Sequence, residues 1–307
     1  YLYIWTSGGL FLRREPSGTL IDSLRLVQNT NNADQSAVEL VNGEKCSAAL
    51  DDTGSTTSLS SISYSDTTWA LLFNCSTLFS STELRQSLAG VAREAAVVPA
   101  TGLFAAADGL IPDGLNVDGM NYRSTVGNVS PAAVDVRALY LSARQGMANS
   151  DFNKVTLMIP AGSGLTEAAE TINGAWQKEL SLFFSIEEVD EETFQKRLSE
   201  GDYTIALAPI SAESGSVYSM LAQFTTAGGN LTGYANALYA TQLEASTHAT
   251  GAARCRLLGE CERQLLSDCV AVPLFSQQKR LLVASGIKGL IFDPFGPVLD
   301  LTYTTKE

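Results

Sequence analysis

Between Lys154 and Pro209 the sequence settles into one rhythm, and that rhythm leaves few folds open. "KVTLMI" reads as a strand, "PAGSG" as a turn, and "LTEAAETINGAWQKEL" as a helix with Leu165, Ala169, Ile172 and Trp176 along one side. "SLFFSIEEV" reads as a second strand. Asp190 then caps a short helix through Phe194 and Leu198, Gly201 ends it, and "YTIALAP" is a third strand. Strand, helix, strand, helix, strand implies an α/β domain with a parallel sheet and right-handed crossovers. Ligands of such open sheets sit beyond the carboxyl ends of the strands. Two of those ends, 160–164 and 209–215, fall on one edge, which makes that edge the candidate site.

The flanking sequence is less regular. "LIDSLRLVQ" alternates as a half-buried strand, and "QSAVELVNGEKCSAAL" reads as a short helix ended by Gly43 before a strand from Ser47 to Leu50. Residues 51–61 form a polar loop, and "TTWALLFN" is a continuous apolar strand. Ser80 and Glu83 have capping-box spacing. They predict a helix that buries Leu84, Leu88, Val91 and Ala95, leaves Arg85 and Arg93 off the stripe, and stops at Pro99. Residues 105–130 lack periodicity and predict a long surface excursion. "SPAAVDVRALYLSARQGM" predicts a helix capped by Ser130 with Pro131 in first position. Later, "LTGYANALYATQLEAS" turns into a helix, a second helix runs through Arg254 to Asp268, and "AVPLF" and "RLLVASGIKGLIF" are strand-like.

Composition removes several classes of function. A chain of 307 residues is long enough for two lobes with their own cores. A formal charge of −13 argues against a nucleic-acid partner, since phosphate binding needs a dense basic surface. No run approaches the ~18 apolar residues of a membrane span. The opening "YLYIWTSGGLFLRREP" has neither an initiator Met nor a leader pattern, so a piece of a longer chain is expected. The five cysteines are Cys46, Cys75, Cys255, Cys261 and Cys269, with no CxxC element. Leu258, Cys261, Leu265 and Cys269 recur at helical steps, so packing is expected there, with no metal.

The single histidine, His248, lies in no nucleophile motif and reads as a surface residue at a helix end. "PAGSGLT" lacks the lysine of a phosphate-binding loop, and no cofactor is expected. Asn74, Asn128 and Asn230 begin glycosylation triplets. Glu213 follows the third strand, where a carboxylate is either solvated or holds a ligand's ammonium group; Asp202 precedes the strand, away from that edge.

One stretch carries a resemblance. "LFNCSTLFSSTELRQSLAGVARE" is similar to the "FN...PF.D.RVRQAL..AIDR" signature of the extracytoplasmic solute-binding proteins that serve oligopeptide and dipeptide ABC importers. Asn74, Phe79, Leu84, Arg85, Gln86, Leu88 and Arg93 stand in register, and Ala92 replaces the usual aspartate. "ADGLIPDG" resembles the family's "G.IPPG" turn. "LIDSLRLV...SAVELVNGE", "WQKEL", "EETFQKRLSEGDYTIAL", "LTGYANALY", "AVPLF" and "GPVLDLTY" follow the family's order along the chain.

The resemblance implies a bilobal periplasmic-binding-protein type II fold, here truncated. Residues 1–73 and 277–307 would be a partial first lobe and 74–276 a complete second lobe, with crossings near 71–74 and 276–278. It implies a monomeric binding protein, not an enzyme, that captures peptides between lobes and hands them to its permease outside the cytoplasm, lipid-anchored or free. Glu213 matches the acidic clamp for the peptide amino terminus, with Ile210, Ser211 and Ala212 beside it and Ser163 on the neighbouring turn. Ile210 stands where an aromatic residue is usual. Other readings are a ligand-sensing domain of a regulator, or capture of a nickel chelate, haem or sugar by the same fold.

Overall fold

The computed structural model describes residues 2–4, 24–26, 37–43, 47–51, 57–100, 104–212, 215–292, 299–301 and 303–306. The strands are β1 Leu2–Ile4, β2 Leu24–Leu26, β3 Ala48–Asp51, β4 Ser60–Phe73, β5 Phe104–Ala106, β6 Asn116–Val117, β7 Met120–Asn121, β8 Thr156–Pro160, β9 Ser185–Val189, β10 Ile205–Ser211 and β11 Ala271–Val283, with short strands after it. The helices are α1 Ala37–Asn42, α2 Thr82–Ala95, α3 Tyr122–Val126, α4 Val136–Ala143, α5 Thr166–Leu180, α6 Glu191–Glu200, α7 Val217–Ala222, α8 Ala237–His248 and α9 Gly251–Ser267. The described residues form two units, dividing between Ser65 and Asp66 and between Gln277 and Gln278, so β4 and β11 each belong to both.

In the first unit β1 pairs in parallel with β2 and β3, and β3 pairs antiparallel with the last residues of β11, Asp51 opposite Arg280. Across that pair Arg280 Nε donates to Asp51 Oδ2 at 2.7 Å, giving the fully buried carboxylate its countercharge. Val41 of α1 packs with Ala49 and Leu282 in a small core.

The second unit holds the predicted α/β run. β8 lies between β10 and β9, parallel to both, and β4 pairs antiparallel with β10 from Phe73 opposite Ile205 to Thr67 opposite Ser211. β5 pairs with β11, and β11 lies next to β4. Side chains alternate across the sheet. Leu71, Phe73, Leu157, Ile159, Ile205 and Leu207 join the core cluster that includes Leu84 and Leu88 of α2 and Ile172 and Trp176 of α5. Trp176 is fully buried, stacks edge-on against Phe184 at 5.4 Å, and donates Nε1–H to Leu88 O at 2.9 Å. The parallel order, Asp190 as cap of α6 and Gly201 in the left-handed conformation at its end all agree with the sequence reading.

Five local expectations are corrected. α2 is capped by Ser81, whose Oγ accepts the Leu84 N–H, because Ser80 is used up in a preceding 3-10 turn. That helix ends at Ala95, short of Pro99, and Arg85, expected off the buried stripe, is only 3% exposed. α4 begins at Val136, not after Ser130, because the Asp135 carboxylate takes the Ala138 N–H at 2.9 Å and fixes the start there. Strand β4 begins at Ser60, inside the expected loop.

The largest correction concerns 105–130, which is no surface excursion. Leu110, Ile111, Leu115, Val117, Tyr122 and Val129 are buried. The segment closes over α9 around Glu262, which is itself fully buried. Glu262 Oε1 accepts the backbone N–H groups of Leu110 and Ile111 at 2.9 and 3.1 Å. Its Oε2 accepts the Tyr122 hydroxyl at 2.9 Å, and Arg123 reaches Oε1 at 2.9 Å. A buried carboxylate is tolerable only when so fully paired. Burial first, and then the Glu262 charge, push the Tyr122 phenol well above its usual range, so it remains a donor. Close approach dictates a glycine here: a Cβ on Gly109 would lie 2.7 Å from Glu262 Oε1.

Candidate functional site: the carboxyl edge of the second unit

The edge is built by the ends of β8 and β10. After β8 the chain turns through 161–164, Ser163 N–H donating to Pro160 O at 3.3 Å, with Gly162 and Gly164 both at positive φ (73° and 75°). Residues with a Cβ adopt that conformation only at a cost, so these glycines make the tight return into α5 possible. The Ser163 hydroxyl is enclosed and has no hydrogen-bond partner among the described residues.

β10 ends beside β4. Ala212 N–H donates to Asp66 O at 2.8 Å, continuing the ladder one step past the strand. The Thr67 hydroxyl donates to Asp66 Oδ1 at 2.8 Å and lies 3.0 Å from Ser211 Oγ. Because the Thr67 proton is committed to Asp66, Ser211 donates in that second contact. Trp69 Nε1–H donates to Gln277 Oε1 at 3.0 Å, tying β4 to β11.

The nominated residues therefore differ in what they can offer. Ile210 and Ala212 are buried, at 0% and 3% exposure, and any part they play runs through their backbone. Ser211 is partly open. Glu213 lies outside the described residues. Ser163 stands on the same edge, at the end of the next strand, since β8 and β10 are parallel neighbours.

Beside the end of β10 lies a groove of about 740 Å³. Gln195 and Leu198 of α6, Ser211 of β10, Tyr218 and Ala222 of α7, and Gln223 line it. Gln223 Nε2 donates to Ser211 O at 3.4 Å, joining two of the groove's lining residues. Nothing in the sequence pattern marked this groove, because its walls come from three elements that periodicity treats separately.

The stretch that carried the resemblance has a structural reason. Asn74 Nδ2 donates to Gly201 O and Tyr203 O at 2.8 and 2.9 Å, and its Oδ1 accepts the Ser76 N–H, so this glycosylation triplet has a buried, fully used amide. Arg85 Nε donates to Asp268 O at 2.8 Å, Gln86 Nε2 to Ser267 O at 2.9 Å, and Arg93 Nη2 to Leu266 O at 3.4 Å. Helix ends leave carbonyls without intrahelical partners. Three motif residues of α2 thus serve the last carbonyls of α9. Arg85 also donates to Phe79 O and Ser80 O, at 2.7 and 3.2 Å.

Other nominated groups are placed plainly. His248 ends α8, highly exposed and 3.7 Å from Glu244. Cys255, Cys261 and Cys269 are buried with Leu258 and Leu265, the expected packing stripe, and burial pushes the Cys261 thiol up to about 12. Cys46 is outside the described residues. No described helix is long and apolar enough to cross a membrane.

No family model matches the chain, and a comparison with curated proteins found no match. Solved structures do match. The pheromone receptor PrgZ, described with its mode of peptide binding, superposes with a TM-score of 0.67 at 19% identity over 92% of this chain and 57% of its own. The substrate-binding domain of an oligopeptide ABC transporter from Bacillus anthracis gives 0.66 at 18% identity over 88% and 56%. Listeria monocytogenes OppA bound to peptide gives 0.64 at 18% identity over 92% and 57%. The chain has the α/β fold of these bilobal, type II solute-binding proteins and spans little more than half their length.

Proposed function

We propose that the chain is the peptide-capturing component of an ABC importer, a binding protein and not an enzyme. The observation that carries this reading is the likeness of fold, across about nine-tenths of the chain, to proteins whose descriptions name peptide binding and ABC transport. In this reading the second unit, which begins at Asp66 instead of residue 74 and ends at Gln277, forms one lobe, and the first unit belongs to the other. A peptide touching both favours the closed arrangement by the extra contacts it makes there. The protein works outside the cytoplasm as a monomer, without a cofactor, and passes its ligand to permease subunits.

Within the site Glu213 clamps the ligand's amino terminus as a charge-assisted acceptor. Ser211 sits two residues before it, fixed by Thr67 and Asp66. Main-chain groups of 210–212 and of the turn at Ser163 supply contacts that any peptide sequence satisfies. Calorimetry on the complete encoded chain tests this. Glu213→Ala is expected to weaken peptides with free amino termini about tenfold and to leave acetylated peptides unchanged. Equal losses for both remove Glu213 from the clamp.

A further inference from the structure

The groove beside β10 bears on which peptides are taken. Ser211, the last residue of the strand whose end forms the candidate edge, is part of its wall, and the groove's volume of about 740 Å³ exceeds what one side chain fills. None of its described lining residues is Asp, Glu, Lys, Arg or His. Yet it is not simply apolar. The amides of Gln195 and Gln223 and the Tyr218 hydroxyl offer donors and acceptors between the apolar surfaces of Leu198, Pro209 and Leu231.

We infer that this groove seats an uncharged side chain of the captured peptide and so selects neutral residues over charged ones. This rests on the peptide-capture reading. A charged side chain moved from water into the groove would give up hydration without meeting a described countercharge, whereas a neutral amide or an apolar group loses little. Because the groove is open on one side, some water stays with the guest, and the discrimination is modest.

The test is calorimetric titration of the complete encoded chain with Ala-Gln-Ala, Ala-Leu-Ala, Ala-Lys-Ala, Ala-Glu-Ala and Ala-Ala-Ala. The glutamine and leucine peptides are expected to bind about tenfold tighter than the lysine and glutamate ones. Gln223→Glu is expected to raise the affinity for the lysine peptide several-fold and to lower that for the glutamate peptide. Ala222→Trp, which fills the groove, is expected to bring the glutamine and leucine peptides down to the level of Ala-Ala-Ala. Gln223→Glu replaces one partly open side chain with another of its size, so it keeps the test decisive if the tryptophan variant does not fold. Peptides that bind without discrimination, or a preference untouched by Gln223→Glu, overturn the groove assignment alone. Failure of every peptide to bind the unaltered chain overturns the peptide reading, and the groove assignment with it.

Discussion

Helix α9 is held at two places, and the two are chemical opposites. In its interior Glu262 is an anion that gathers donors from 110–123, while at its end the carbonyls of 266–268 are acceptors that gather donors from α2. The Glu262 carboxylate is closed off and fully paired by two backbone amides, a phenol and a guanidinium, while Arg123 itself is partly open and its Nε has no hydrogen-bond partner among the described residues. At the helix end the arrangement is graded, because Arg85 is buried whereas Gln86 and Arg93 are partly open. What the contrast teaches is that a helix can be fixed by one indispensable group or by several replaceable ones, and the energetics follow burial more than charge.

The closed centre is where the comparison is most easily broken. Glu262→Leu leaves two amide N–H groups and the Tyr122 hydroxyl without their acceptor. The Arg123 guanidinium loses its buried countercharge and, among the described residues, keeps only Ile111 O as a hydrogen-bond partner, so a loss of about 3–5 kcal/mol is expected in urea unfolding. Adding Arg123→Leu should cost far less than it does alone, since the two residues belong to one unit. Additive losses would mean that Glu262 and Arg123 act separately. At the graded end the leading member comes next. Arg85→Met keeps the bulk but strips the carbonyls of Phe79 and Asp268 of a charged donor, for an expected loss of about 2–3 kcal/mol. A loss as large as that of Glu262→Leu would erase the distinction between the two anchors.

The same contrast explains what the sequence could tell. The run from β8 to β10 is legible because its signals are local: apolar spacing, Asp190 before the helix, Gly201 after it. Residues 105–130 are not, because what buries them is a carboxylate 151 or 152 positions further on in α9, and no window of sequence holds both ends of those bonds. Arg85 misleads for a related reason. A lone arginine reads as a surface residue unless the carbonyls it serves are in view, and Asp268 is 183 positions away. Ser80 and Ser81 differ by one place, and only the preceding 3-10 turn decides between them. At the candidate edge, position near a strand's end nominated 210–213, of which 210–212 are described: Ile210 and Ser211 end β10, and Ala212 follows it. Position did not separate the enclosed Ile210 and Ala212 from the open Ser211, and it gave no hint that Thr67 and Asp66 hold Ser211 in place.

Gln86 supplies the smallest test and the one that sharpens the graded end. Its amide donates to Ser267 O at 2.9 Å in an exposed setting, where water replaces a lost donor at little cost. Gln86→Ala is therefore expected to lower stability by no more than about 0.5 kcal/mol, within the range of ordinary surface changes. Gln86→Lys keeps a donor and adds a cation near the negative end of α9, which favours it by about 0.3–1 kcal/mol. The sign matters more than the size. If Gln86→Lys destabilises at low salt, the partly open members are not acting on the helix terminus, and their register with Arg85 on α2 reflects packing alone.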